Sequence, residues 1–349
     1  MSARVRRGLV VGKFCPLHLG HEALIRHAQA QCDELLVLSY TQPGFPGYGR
    51  ERRAAWLQAR CPGVESHVLD DDELARRCAA QGLPPRRLPS DDAPGDEHRH
   101  FVAWLLQTFF GGPVDAVFTS EDYGDGFAAV LGAVFGRPVR HVCVDPARAA
   151  VPVSGTQVRR DPMACRDWLG PEVYADLVPR IALLGGESTG KTTLAAALAA
   201  ALDTVWVPEF GRLHWEQRGG ELTLDDMALI ASTQVQWEAA HAQGARGWLV
   251  CDTTPLTTRL YSELLFGRVA DTVAALARRP YALTLLCEPD FGFVQDGSRQ
   301  DARFQAEQQR RYVRALDELG VAWHRVGGSV SQRVERVKAL LQGSLATQG

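Results

Sequence analysis

The sequence lacks several features that would place it in a special class. No apolar run approaches the roughly 18–20 residues of a membrane-spanning helix, the longest being 181–184 and 193–202. The eight cysteines are scattered and form no C-x-x-C pair, which disfavours a zinc site or a disulfide framework. The apolar run at the N-terminus is too short for a signal peptide. We therefore expect a cytoplasmic protein with reduced thiols and no membrane partner.

A surplus of positive charge is also missing. The chain has 38 Lys and Arg residues against 41 Asp and Glu residues, a net charge of −3. A protein that coats nucleic acid normally has a strong basic surplus, so no nucleic-acid partner is expected. Lysine itself is scarce, with only Lys13, Lys191 and Lys338. Two of these lie in the motifs described below, which hints that a compact ammonium is needed there.

The order of elements predicts two α/β domains. The chain has 349 residues, and short β-like runs alternate with helical stretches, as is typical of parallel βαβ units. The alternation restarts at Ile181, so we predict a doubly wound parallel sheet in 1–179 and a second one in 180–349. A polar, proline-rich stretch at 82–97 is interpreted as an insertion or loop.

The first motif, GKFCPLHLGH at 12–21, stands between a predicted strand and a predicted helix. His18 and His21 lie at the start of that helix, where backbone N–H groups and the helix dipole favour anions. Gly20 lets a phosphate approach the backbone closely. No activated nucleophile is visible, so positioning and charge stabilisation should dominate an attack on the α-phosphate of a nucleoside triphosphate.

A second segment, VSGTQVR at 153–159, supplies complementary groups. Ser154 and Thr156 can cap a helix or bind phosphate oxygens, and Arg159 can hold a departing pyrophosphate. Alone, each segment has a structural alternative: two incidental histidines in a turn, or the start of a helix. The two segments in this order, about 130 residues apart in an α/β pattern, favour the functional interpretation.

The third motif, GGESTGKT at 185–192, matches a Walker A loop between an apolar strand and an Ala/Leu-rich helix. Lys191 would reach the β- and γ-phosphates, and Thr192 would hold Mg²⁺. Asp252 ends the apolar strand WLVCD and would orient the Mg²⁺ ion or its water, although such a residue can also simply cap a turn. Glu209 follows the second strand, where it would accept the proton of an acceptor hydroxyl. A solvated charge pair with Arg212 is its structural alternative.

Two arginines further along are candidates for a lid over the γ-phosphate. Arg299 and Arg303 lie in a stretch rich in Arg and Gln, and could act as internal arginine fingers. The alternative is an exposed helix with solvated charges.

These motifs carry a resemblance to known families. The pattern G-K-F-x-P-x-H-x-G-H followed by S-x-T-x-x-R resembles the nucleotidylyltransferase superfamily. With the Walker A loop added, the chain resembles the bifunctional nicotinamide-nucleotide adenylyltransferase/ribosylnicotinamide kinase (NadR-type) proteins. The segments FTSEDYGDGFA, CVDPAR, EFGR, CDTTPLTT and DGSR extend this similarity over about residues 8–330.

The resemblance implies a Rossmann-like nicotinamide-nucleotide adenylyltransferase in 1–179 and a P-loop ribosylnicotinamide kinase in 180–349. ATP and Mg²⁺ would be required. The kinase would convert nicotinamide riboside to the mononucleotide (NMN), and the transferase would join NMN to AMP, giving NAD and pyrophosphate.

The resemblance also implies a set of site residues. The catalytic ones would be His18, His21, Lys13, Arg159, Lys191, Glu209 and Asp252, with Thr192 and Asp252 at the metal. The nucleotide-binding ones would be Gly12, Phe14, Gly20, Ser154 and Thr156 in the first domain, and Gly185, Gly186, Glu187, Ser188, Thr189, Gly190, Thr192, Thr193, Arg212, Arg299 and Arg303 in the second.

Some questions stay open at this level. A transferase and kinase acting on other substrates, or an ATP-sensing regulator, would carry the same phosphate motifs. The aromatic group that stacks on the nicotinamide ring is unassigned among Trp56, Trp104 and Tyr123, and the oligomeric state is not determined. Some NadR-type proteins carry an N-terminal helix-turn-helix repressor module, which we expect to be missing here because the first strand begins about seven residues into the chain.

Overall fold

The computed structural model describes residues 4–290 and 302–346, of which 302–304 and 344–346 are described by their backbone alone. Contacts divide the chain into two compact units, Met1–Tyr174 and Ala175–Gly349, and each is described by itself. The division falls five residues before the boundary predicted from sequence. None of the described helices is long and apolar enough to cross a membrane.

The first unit is built on a five-stranded parallel sheet. Its strands are β1 (Val5–Gly12), β2 (Cys32–Ser39), β3 (Glu65–Val68), β4 (Ala116–Thr119) and β5 (Arg140–Cys143), in the spatial order β3-β2-β1-β4-β5. Its helices are α1 (Leu19–Gln31), α2 (Arg50–Arg60), α3 (Asp71–Ala80), α4 (Gly95–Phe109), α5 (Gly124–Phe135), α6 (Gly155–Arg160) and α7 (Pro171–Leu177), the last containing the division between the units. A 3₁₀ turn covers Arg166–Trp168.

The second unit repeats this plan in a different order. Its strands are β6 (Arg180–Leu184), β7 (Trp206–Val207), β8 (Leu249–Asp252), β9 (Leu283–Cys287) and β10 (His324–Val326), in the order β10-β9-β6-β8-β7, again all parallel. Its helices are α8 (Lys191–Ala201), α9 (Phe210–Gln217), α10 (Leu224–Ala242), α11 (Pro255–Phe266), α12 (Asp271–Leu276), α13 (Ala302–Glu318) and α14 (Val330–Ala346).

The first strand of each unit lies in the middle of its sheet. Central strands of a parallel sheet are covered on both faces, so they read as continuous apolar runs. Leu9 and Val10 of β1 are fully buried, and Ile181–Leu184 of β6 are at most 1% exposed. Two predicted doubly wound α/β sheets are thus confirmed.

Five described helices were not predicted as elements from the sequence. Four of them, α3, α7, α9 and α11, lie in stretches to which the sequence assigns no element, and α13 begins in the Arg- and Gln-rich stretch, where an exposed helix was only the alternative to a lid. The 82–97 insertion is irregular up to residue 94, after which α4 begins at Gly95. The apolar residues at 321–326 predict a strand, and the observed strand is shorter, beginning at His324.

Candidate active sites

The first cavity opens at the carboxyl ends of strands β1, β2, β4 and β5. In open parallel sheets, ligands bind where the strand order reverses, and here that point lies between β1 and β4. The cavity has a volume of about 700 Å³. Every predicted site residue of the first unit lines it: Gly12, Lys13, Phe14, His18, Gly20, His21, Ser154, Thr156 and Arg159.

The histidine turn is rigid and closely packed. Phe14 adopts a left-handed conformation, with φ of 48°, as the chain leaves β1. His18 is the N-cap residue of α1, and its backbone N–H donates to Nδ1 of His21 at 3.4 Å. The two imidazole rings stack with centroids 3.6 Å apart, and Phe14 meets the His21 ring edge-on at 5.0 Å. Both histidines are thereby held in fixed orientations.

Both histidines are neutral at physiological pH. Burial and, to a smaller extent, the nearby Arg148 guanidinium lower the pKa of His18 to about 4. Burial also lowers the pKa of His21 well below its ordinary value, with added repulsion from His18 and Arg148. A neutral imidazole can donate one hydrogen bond to a phosphate oxygen without first losing a proton. The turn therefore provides hydrogen bonding more than charge.

Two of the cationic side chains that line the cavity share one aromatic ring. The Arg159 guanidinium lies 4.2 Å from the centroid of the Phe45 ring, and the Lys13 ammonium lies 5.9 Å from it. Arg159 also donates to the Cys15 carbonyl at 2.5 Å, across 144 positions of sequence. The two sequence motifs therefore meet in one site, as their order predicted.

The hydroxyls of the second motif have local partners. Ser154 is the N-cap of α6, where its Oγ accepts from the Gln157 N–H at 3.2 Å. Thr156 Oγ1 accepts from Arg159 at 3.0 Å. Both residues line the cavity, but in this arrangement Ser154 caps a helix and Thr156 orients Arg159. The helix-capping alternative therefore describes what Ser154 does here.

The 82–97 insertion contributes a carboxylate to the site. Asp91 Oδ2 lies 2.9 Å from the Lys13 ammonium. Its other contacts are the Gln42 N–H at 3.0 Å and the Thr41 hydroxyl at 2.8 Å. Burial alone would raise the pKa of Asp91, but these hydrogen bonds and the Lys13 charge outweigh it and lower that pKa. Sequence reasoning missed this contact, because 82–97 matches no motif.

A buried arginine also escaped the sequence analysis. Arg53 of α2 is only 3% exposed and donates to the Lys13 carbonyl and to Ser39 Oγ, each at 3.0 Å. Ser39 Oγ donates to the same carbonyl at 3.0 Å. These bonds fix the backbone from which Lys13 projects.

Among the candidate stacking aromatics, Tyr123 lines the cavity, whereas Trp56 is buried in the core and Trp104 lies outside the lining.

The second cavity lies at the carboxyl ends of β6, β7 and β8 and has a volume of about 350 Å³. Ten predicted residues line it: Gly185, Glu187, Ser188, Thr189, Gly190, Lys191, Thr192, Thr193, Glu209 and Arg212. The loop between β6 and α8 holds three residues with positive φ, namely Gly185 at 142°, Ser188 at 57° and Gly190 at 78°. Such turns point successive backbone N–H groups into one concave space, as an anion site needs.

Lys191 is held over this loop. Its ammonium donates to the carbonyls of Gly185 and Gly186, both at 2.9 Å. A β-carbon on Gly185 would come within 2.9 Å of both the Cys287 carbonyl oxygen and Thr189 Oγ1, so no larger residue fits there. Gly186 is outside the cavity lining and serves the loop through its backbone.

Two oxygen donors meet at the start of α8. Thr192 Oγ1 donates to Asp252 Oδ2 at 2.6 Å, and Asp252 Oδ1 is buried with no hydrogen-bond partner in the described part of the chain. Mg²⁺ at a P-loop takes a hydroxyl, phosphate oxygens and water, so this pair fits the ion. Within 4–290 and 302–346, no group of three or more His, Cys, Asp or Glu side chains is arranged to hold a metal ion. The remaining ligands at Thr192 and Asp252 would therefore be phosphate oxygens and water.

Glu209 faces the same cavity with a shifted pKa. Desolvation raises this pKa from 4.5 to about 7; the Lys191 charge opposes the rise and the Asp252 charge adds to it. Gln234, which is 2% exposed, fixes the backbone on both sides of Glu209. It accepts from the Phe210 N–H at 2.9 Å and donates to the Pro208 carbonyl at 3.3 Å. A carboxyl that titrates near neutrality can take up a proton during a reaction.

The remaining predicted arginines have different outcomes. Arg212 lines the cavity and forms an ion pair with Glu216 at 3.2 Å. Arg299 lies outside the described residues. Arg303 belongs to α13, but its side chain lies outside the described part. Sequence reasoning also missed Tyr261, whose hydroxyl donates to Glu187 Oε1 at 2.9 Å inside the cavity.

Comparisons with known proteins bear on both units. A family model described as an AAA domain matches residues 180–333. The chain is 28% identical over 333 residues to the trifunctional NAD biosynthesis/regulator protein NadR of Escherichia coli (strain K12), covering 91% of this chain and 78% of that protein.

Two solved structures share the fold. A crystal structure of a NadR protein in complex with NAD and AMP-PNP matches with a TM-score of 0.67 at 20% identity, covering 98% of each chain. A crystal structure of a NadR protein in complex with NR matches with a TM-score of 0.65 at 19% identity, covering 93% of this chain and 89% of that one. The resemblance predicted from the phosphate motifs is thus confirmed, and the chain is similar to the NadR proteins over nearly its whole length.

Proposed function

We propose that the chain makes NAD in two steps at two separate ATP sites. The second unit phosphorylates nicotinamide riboside to NMN, and the first unit joins NMN to the AMP part of ATP. The observation that carries this proposal is the presence, in one chain, of two cavities lined by different phosphate motifs. The names of the relatives supply the substrate class, since they include NAD biosynthesis and complexes with NAD and NR.

In the second unit, the acceptor hydroxyl attacks the γ-phosphorus of ATP and ADP leaves. Glu209 takes the hydroxyl proton, because its pKa of about 7 lets it accept a proton at neutral pH. Lys191 stabilises charge on the transferred group, and the loop N–H groups hold the remaining phosphates. Thr192 and Asp252 would hold Mg²⁺, which when bound neutralises charge on the β- and γ-phosphates.

In the first unit, a phosphate oxygen of NMN attacks the α-phosphorus of ATP, and pyrophosphate leaves. No side chain needs to become a nucleophile, so binding geometry and charge supply the catalysis. His18 and His21 hold phosphate oxygens as neutral hydrogen-bond donors. Lys13 and Arg159 stabilise the negative charge that builds up on the leaving pyrophosphate.

Incubation of the purified protein with nicotinamide riboside, ATP and Mg²⁺ tests the proposal. We expect ADP and NMN to form first, followed by NAD and pyrophosphate. A parallel panel of other nucleosides and other phosphate acceptors separates this activity from a transferase–kinase with different substrates.

Two outcomes would contradict the proposal. ATP binding without phosphoryl transfer to any nucleoside would indicate a nucleotide sensor. If the protein phosphorylates another nucleoside and adenylylates another phosphate acceptor, but acts on neither nicotinamide riboside nor NMN, the two reaction types stand and the proposed substrates are wrong.

A further inference from the structure

Helix α13 presents a face of three glutamines that the proposed reactions do not use. Gln305, Gln308 and Gln309 are spaced i, i+3 and i+4, so they project from one side of the helix. Gln305 and Gln308 are only 8% and 2% exposed. A buried amide needs hydrogen-bond partners, because leaving it unpaired costs the free energy of removing it from water.

The partners of these glutamines are backbone groups of the Walker A loop. The Glu187 N–H donates to Gln308 Oε1 at 2.8 Å, and the Gly186 N–H donates to Gln309 Oε1 at 3.1 Å. Gln305 Nε2 donates to the Glu187 carbonyl. Gln309 Nε2 also donates to the Cys287 carbonyl at 3.1 Å, which joins the loop to the end of β9.

The close approach of α13 explains a glycine in the loop. A β-carbon on Gly186 would lie 3.0 Å from the Gln305 carbonyl oxygen and 3.3 Å from Gln308 Oε1. The Walker A pattern leaves this position free, so the motif itself does not require glycine there. The close contact with α13 disfavours a side chain there.

The glutamine face bears on ATP through Lys191. The Lys191 ammonium donates to the carbonyls of Gly185 and Gly186, and the N–H of Gly186 is held by Gln309. A shift of Gly186 and Glu187 would therefore move one anchor of the lysine. An amide is also the appropriate side chain at this position. Its oxygen accepts a hydrogen bond from the loop N–H as a carboxylate would, but it adds no negative charge near a triphosphate.

We propose that Gln305, Gln308 and Gln309 are positioning residues that hold the first half of the Walker A loop in the shape that binds ATP. They act through the loop and do not touch the nucleotide. The inference rests on the proposed binding of ATP to this loop, but it is independent of which acceptor is phosphorylated.

The sharpest test is Gln308→Glu, because it keeps the acceptor oxygen and the size of the side chain while adding a charge. We expect the Kd for ATP and the KM for ATP to rise roughly tenfold, since a charge-dependent contact near the phosphates is changed. The kcat and the KM for nicotinamide riboside should change less than about twofold, because Glu209 and the acceptor cavity are not altered.

A second variant removes the contact without adding charge. Gly186→Ala inserts a β-carbon between the loop and α13, and should raise the KM for ATP by a comparable, roughly five- to tenfold factor. Glu307→Gln is the matched control: it lies on the same helix between the glutamines, pairs with Arg310 and Arg311, and contacts no loop residue in the bonds described. Its ATP parameters should match the wild type.

Binding of ATP by each variant is measured by titration calorimetry beside steady-state kinetics and thermal unfolding. If the wild-type protein does not bind ATP at this loop, the proposed kinase function of the second unit is wrong. If the wild type binds and both variants bind ATP equally well, the positioning role is wrong. A variant could also lose ATP affinity, riboside affinity and kcat to the same extent, together with a lower melting temperature. That result would show only a structural role and would overturn the positioning role.

Discussion

The two units have similar parallel sheets but offer different groups for binding phosphate. Each has a central first strand and a loop that leads from it into a helix. In the first unit that loop offers two neutral imidazoles, and its cations come from Lys13 beside it and Arg159 far along the chain. In the second unit three residues with positive φ curve the loop itself, and its lysine, Lys191, follows directly within the same motif.

This difference matches the bond that each site would break. A nest of N–H groups with one lysine encloses the terminal phosphates, which suits transfer of the γ-phosphoryl group. Side-chain donors and a separate arginine around a cavity of about 700 Å³ suit a site that must hold a second phosphate group beside ATP. The comparison therefore makes four predictions, ordered here by the size of the expected effect.

The largest effect should come from Lys191→Ala. Phosphorylation of nicotinamide riboside should fall by about 10³-fold, because a charge aimed at the transferred phosphoryl group is lost. The rate of NAD formation from NMN should stay at the wild-type value. Radiometric assays of NMN and NAD measure the two rates.

Lys338→Ala is the matched control, since that exposed lysine pairs with Glu335 on α14. Full riboside phosphorylation by Lys191→Ala would refute the assignment of the second unit.

The double variant His18→Ala, His21→Ala should affect the other reaction. NAD formation from NMN should fall by about 10²-fold, since two positioned donors to phosphate oxygens disappear together. Phosphorylation of the riboside should not change. His100→Ala, an exposed histidine of the same unit, serves as control. An unchanged rate of NAD formation would show that the histidine turn is only structural.

The pH dependence should separate the units without any substitution. Riboside phosphorylation, measured as kcat/KM, should rise about tenfold from pH 6 to pH 8, as Glu209 with its pKa of about 7 loses its proton. NAD formation should be nearly flat over that range, because the pKa of His18, about 4, lies below it. Glu209→Gln should lower the kinase rate and remove its dependence on pH near 7. A kinase profile that is equally flat in the wild type would argue against Glu209 as proton acceptor.

The smallest effect should come from Asp91→Asn. Loss of this carboxylate frees Lys13 from its 2.9 Å contact, and NAD formation should fall roughly fivefold, because the pair is partly exposed and its contribution is modest. Asp92→Asn, the exposed neighbour, is the control. A faster reaction in Asp91→Asn would mean that Asp91 draws Lys13 away from the phosphates.

Residues that belong to local patterns could be predicted from the sequence. Lys191 and Thr192 stand in a motif whose spacing is set by the loop itself, and the alternation of strands and helices follows from periodicity. Even so, sequence reasoning missed α11, although Thr254 caps it and Pro255 begins it. Its buried face includes the polar residues Thr257, Thr258 and Ser262, which interrupt the apolar periodicity of a helix.

Residues that act across the fold could not be predicted in this way. Arg53, Asp91, Gln234 and Gln308 reach the sites from elements whose sequence carries no motif, and their roles depend on which backbone group lies opposite. Buried polar side chains of this kind satisfy backbone donors and acceptors, and only the tertiary structure shows which ones.

The central claim is that one chain uses both ends of the ATP phosphate chain, each in its own unit. Isotope tracing from nicotinamide riboside tests it directly. Label in the γ-phosphate should appear in NMN and then in NAD, and label in the α-phosphate should appear in NAD but not in NMN. Lys191→Ala supplied with unlabelled NMN should still incorporate the α-label. Failure of either label to reach NAD in the wild type, with ATP and Mg²⁺ present, would contradict the account.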